Sequence, residues 1–78
     1  MTINNVVDFD KYEHYIDLFE KYASFLTQTQ KQAFILYFHE NLSYQEIADI
    51  FATTRSAVYD AVSKAIKKLE KIEEKIAN

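Results

Sequence analysis

The sequence predicts an all-α fold, a four-helix domain that ends in a long helix. Three observations carry that expectation. The 78 residues contain no Gly and no Pro, the residues that tight β-hairpin turns favour. Apolar residues recur at three- and four-residue steps over most of the chain. Two stretches, Thr27-x-x-Gln30 and Ser43-x-x-Glu46, have the reciprocal spacing of helix capping boxes. With 49% hydrophobic and 15% aromatic residues, there is enough apolar material for one core, so residues 1–78 read as a single domain.

The first nine residues show no period and read as a loose lead-in. From Asp10 onward, Tyr12, Tyr15, Ile16, Phe19, Tyr22, Ala23 and Leu26 form an apolar stripe, with Asp8 or Asp10 as candidate cap. Spacing on one face makes core packing the expected role of these aromatics, rather than base stacking or a ligand surface. A break at Ser24–Thr27 precedes a second helix opened by the Thr27–Gln30 box. Its run Ala33–Phe38 is apolar throughout and is expected to be covered on most sides. Asn41 is the best left-handed terminator available without Gly.

The chain is organised around Leu42–Lys64. Ser43 and Glu46 open a short helix with Ile47, Ala48 and Phe51 on its apolar face. Thr54 is a candidate N-cap for the next, whose inward face takes Ala57, Val58, Ala61 and Val62. Two capped helices about three residues apart are the sequence shape of a helix-turn-helix. Nothing breaks the last helix from about residue 55 to 77, and Val58, Val62, Ala65, Leu69, Ile72 and Ile76 follow a heptad seam widened by Ile66. Beyond Lys67 this seam needs a cover, either the first helix or, as a homodimer, a second copy.

Several function classes are disfavoured. Without Cys there is no disulfide or thiolate metal site. His14 and His39 are isolated, no Ser-His-Asp arrangement or glycine-rich phosphate loop is suggested, and no catalytic residue, metal or cofactor is expected. No segment approaches the roughly 20 apolar residues that span a membrane, and the start lacks a signal-peptide pattern. A cytoplasmic protein with no membrane insertion is the expectation. The net charge of −3 argues against nonspecific polyanion binding, but it is unevenly spread. Residues 1–54 carry three lysines against eight acids, whereas residues 55–78 carry six basic groups against four acids.

The positive charge starts where the second motif helix starts. In a helix-turn-helix that helix enters the major groove. Its outer face offers Thr54, Arg55, Ser56, Tyr59, Asp60, Ser63, Lys64 and Lys67 as candidate DNA-binding residues. Arg55 suits a bidentate contact to guanine, the serines base edges or phosphate, Tyr59 a phosphate, and the lysines backbone charge. Against this, Arg55 and Asp60 can be ordinary solvated charges, and Tyr59 can fold back on Phe51. The lysines beyond Lys68 alternate with Glu70, Glu73 and Glu74 and read as a solvated face.

The stretch LTQTQKQAFILYFHENLSYQEIADIFATTRSAVYDAVSKAIKKLEKIEEKI resembles the YlxM-like family of small bacterial helix-turn-helix proteins. The resemblance runs from about Tyr12 to Ile76 without a gap. It is carried by Leu26-Thr27, Gln30, Tyr37, Leu42-Ser43, Glu46-Ile47-Ala48, Arg55, Ala57-Val58-Tyr59-Asp60, Lys64 and Leu69-Glu70. It implies a module similar to region 4 of sigma factors, a DNA-binding regulatory role without enzymatic activity, and a link to the signal recognition particle pathway through gene neighbourhood. This chain departs from the pattern in the turn, where Ala52 and Thr53 replace a Gly and an aliphatic residue. Two functions therefore stand side by side. One is a sequence-specific DNA binder; the other is a protein-interaction module of the signal recognition particle system with no DNA role.

Overall fold

The computed structural model describes residues 9–77. Helix α1 spans Phe9–Tyr22, α2 Gln28–Phe34, α3 Tyr44–Phe51 and α4 Arg55–Ala77, with no strand among the described residues. The expected lead-in and the candidate cap Asp8 lie outside the described residues, and the alternative cap Asp10 falls inside α1.

A short 3-10 turn, Ala23–Phe25, makes the predicted break between α1 and α2. The Thr27 box then forms with both arms. Gln30 N–H donates to Thr27 Oγ1 at 3.1 Å, and Thr27 N–H donates to Gln30 Oε1 at 3.0 Å. Helix α2 continues into a π turn over Ile35–His39, where Glu40 N–H reaches back to the Ile35 carbonyl at 3.1 Å. Asn41 ends it at φ 60°, the left-handed position expected of it. The Tyr12 hydroxyl donates to the Phe38 carbonyl beside Asn41 Oδ1, tying α1 to this corner.

Helix α4 is the hub, and α1, α2 and α3 all pack against it. Phe34 is fully buried, lying flat on Phe19 (centroids 4.4 Å apart, 3° between planes) and 4.4 Å from Phe38. Tyr12 and Tyr15 meet Phe38 edge-on at 5.2 and 5.9 Å, so the aromatic stripe of α1 is core packing. Two expectations need correction. Leu18, outside the predicted stripe, is among the most deeply buried side chains, because α1 contacts both α2 and α4 and needs a wider apolar arc. Of Ala33–Phe38, only Ala33, Phe34 and Phe38 are buried; Ile35, Leu36 and Tyr37 are half-buried, since α2 leaves one side open.

The seam on α4 finds its cover inside the chain. Val58, Val62, Ala65 and Leu69 are buried, and Ile72 is half-buried. Helix α1 lies along this half, and Tyr22 Oη donates to Glu73 Oε1 at 2.8 Å across the pair. That bond holds the Tyr22 phenol above its ordinary pKa, because ionisation would destroy the donation and set two negative charges together. Only the far end of the seam stays open, with Ile76 60% exposed.

Candidate nucleic-acid interface

The motif is built from local hydrogen bonds. Ser43 Oγ accepts from Glu46 N–H at 3.1 Å and Glu46 Oε1 accepts from Ser43 N–H at 2.8 Å, so the capping box opens α3. At the other end Ala52 is left-handed, φ 56° and ψ 49°. Thr53 N–H reaches the Ala48 carbonyl at 2.9 Å and Ala52 N–H that of Asp49 at 3.4 Å, the pair of bonds of a Schellman ending. Thr54 then caps α4, its Oγ1 accepting from Ala57 N–H at 3.1 Å. Three residues thus turn the chain from one helix to the next.

The left-handed alanine costs about 1–2 kcal/mol relative to a relaxed backbone, because its Cβ crowds the following carbonyl. Ala52→Gly removes that crowding and loses some of the gain to unfolded-state entropy. The expected net effect is about 1 kcal/mol of added stability, or roughly 4–8 °C in melting temperature for a domain of this size. Thermal unfolding followed by circular dichroism checks it; an unchanged or lower midpoint rejects this strain.

With Val58 and Val62 anchored in the core, the outer face of α4 is fixed. At about 100° per residue, Arg55, Tyr59, Ser63, Ser56, Lys67 and Asp60 follow one another across about 140° of helix surface. Lys64 stands just beyond. Thr54, Arg55, Ser56, Tyr59, Asp60, Lys64 and Lys67 are all exposed, and Ser63 is half-buried. Lys64 Nζ pairs with Asp60 Oδ2 at 3.2 Å. Both groups are well solvated, so the pair adds little stability but does offset one of the face's cations. Ala57 departs from expectation: it is exposed, not inward. It sits in the first turn of α4, where the short connection leaves an open cleft of about 360 Å³ lined also by Gln32, Phe51, Thr53 and Ala61.

A second open groove, about 640 Å³, runs between the starts of the two motif helices. Ser43, Tyr44 and Gln45 of the α3 start face Arg55, Ser56 and Tyr59 of α4 across it. Both helix starts present a positive dipole end to the groove, which at the α3 start the Glu46 carboxylate on Ser43 N–H partly answers. Tyr44 and Gln45 were not singled out in the sequence. Two N-caps in one motif were the available signal; the helix crossing that brings both starts to one groove is not a local property. Tyr59 meets Tyr44 edge-to-face at 5.5 Å rather than folding onto Phe51. Burial pushes the Tyr44 phenol well above its ordinary pKa, and the neighbouring Tyr37 phenol acts in the same direction.

Residues 9–77 match the UPF0122 family, described as "Putative helix-turn-helix protein, YlxM / p13 like". The chain belongs to this family. A UPF0122 protein of Mycoplasma capricolum subsp. capricolum is 48% identical over 60 residues, covering 77% of this chain and 53% of the relative. One from Streptococcus pyogenes serotype M5 is 39% identical over 72 residues, covering 92% of this chain and 64% of the relative. The chain thus spans between half and two thirds of the length of these relatives. No solved structure matches. The family description names the motif that α3 and α4 form and names no reaction. Among the described residues of this UPF0122 chain, His, Cys, Asp and Glu do not gather in threes as a metal site. No helix among them is long and apolar enough to cross a membrane.

Proposed function

We propose that this chain is a DNA-binding regulator that lays the first half of α4 in the major groove. One observation carries the reading: the sector from Arg55 to Asp60 is exposed on a helix whose opposite side is locked into the core. Arg55, Ser56, Tyr59 and Ser63 face base edges, while Thr54, Lys64 and Lys67, with Ser43 and Gln45 at the α3 start, lie toward the phosphates.

Selection from random duplex oligonucleotides, with the mass in solution measured alongside, tests this. A recovered sequence bound with an affinity that falls steeply with salt is the expected result, because phosphate contacts release counterions. Failure to enrich any sequence sinks it. A second reading, a protein-interaction module of the signal recognition particle system, is favoured by one feature of the face, the Asp60 carboxylate that offsets Lys64. Retention of such a component at high salt, with no DNA enriched, would decide for it.

A further inference from the structure

Tyr59 stands on the proposed reading face, yet it is joined to the core by an unbroken file of rings. Phe19 lies flat on Phe34, Phe34 touches Phe38, and Phe38 meets Tyr37 edge-to-face at 5.0 Å and 86°. Tyr37 then stacks on Tyr44 at 4.7 Å and 8°, and Tyr44 meets Tyr59 at 5.5 Å and 88°. Burial falls along the file, from complete at Phe34 through half at Tyr44 to 57% exposure at Tyr59. The α3 start contributes Tyr44, which meets the outermost ring, and the π turn contributes Tyr37, which backs Tyr44.

An exposed tyrosine with nothing beside it samples several rotamers and loses that freedom on binding. Here the edge-to-face contact restricts the ring before any ligand arrives. We infer that Tyr44 is a positioning residue for DNA recognition, holding the Tyr59 ring in the groove between the two helix starts. This rests on the DNA-binding reading. Tyr44 acts through Tyr59; it is not itself assigned a base or phosphate.

A double-mutant cycle on the selected duplex, in the full chain, separates the possibilities. Tyr44→Leu is expected to weaken binding on the order of three- to tenfold, the cost of freezing one side chain, with an unchanged salt slope because no phosphate contact is lost. Tyr44→Phe keeps the ring and is expected to bind within about twofold of the parent. In a Tyr59→Ala background, Tyr44→Leu is expected to have no further effect. Ring relaxation of Tyr59 by NMR in the free protein provides a readout independent of DNA, with order lost in Tyr44→Leu and kept in Tyr44→Phe. Additive losses in the cycle, or an unchanged Tyr59 ring in a folded Tyr44→Leu variant, overturn the inference. If the parent binds no duplex while Tyr59 is ordered as described, the DNA reading falls instead, and the positioning role falls with it.

Discussion

Phe34→Ala is expected to remove about 3–5 kcal/mol, a large share of the chain's stability. Phe34 has no exposed surface and is clasped between Phe19 and Phe38, with both centroid distances 4.4 Å. Truncation there removes a stacked pair and opens a cavity that neighbouring helices close only in part, since the Thr27 box pins the start of α2 and the π turn continues from its end. Phe→Ala changes in cores cost about 3–5 kcal/mol. A domain of 78 residues has on the order of 4–12 kcal/mol in total, at about 0.05–0.15 kcal/mol per residue. The single change therefore consumes a large share of the stability. Urea unfolding monitored by circular dichroism measures it, and a loss below 1 kcal/mol would mean that the aromatic file is not the centre of the core.

On selected DNA, Arg55→Ala is expected to cost about 1–3 kcal/mol, which is roughly five- to 150-fold in Kd. Arg55 is the only guanidinium in the chain and stands in the first turn of α4, at the rim of the groove between the helix starts. Lys64→Ala should cost less and act differently. Its partner Asp60 offsets its charge, so its removal leaves an unpaired carboxylate on the reading face and lowers the salt slope by less than one. Asp60→Asn reverses that sign: it frees Lys64, removes a charge that repels phosphate, and is expected to tighten binding. Fluorescence anisotropy at several salt concentrations distinguishes the three. Equal affinities for the parent and Arg55→Ala would remove Arg55 from the reading face, and weaker binding by Asp60→Asn would mean that Asp60 makes a direct base contact.

The parts of this architecture that sequence reveals are those settled within one turn of chain. Ser43 and Glu46, Thr27 and Gln30, and Thr54 are capping residues because their side chains reach backbone N–H groups two or three positions away. The same holds for Asn41, the left-handed stop of the π turn in a chain without Gly, whereas the left-handed Ala52 had its signal only in the family's turn pattern. The outer face of α4 was also legible, since the buried valines fix the rotation of the helix, with Ser56 and Asp60 opposite them and Arg55 and Tyr59 exposed at the flank.

What only the tertiary structure decided depends on how helices cross. The heptad seam on α4 fits a second copy or the first helix equally well as a pattern, and only the packing of α1 shows the cover for Leu69 to come from within. Leu18 is core because α1 touches two helices at once, a fact absent from its own periodicity. Ala57 lies open because three connecting residues are too few to cover the first turn of α4. The groove between Ser43–Gln45 and Arg55–Tyr59, and the rings that hold Tyr59 there, join residues on separate elements. Hydrogen bonds along a helix are local, so its sequence carries them. The angle between two helices is set by every side chain at their contact, so the candidate site was half visible until they packed.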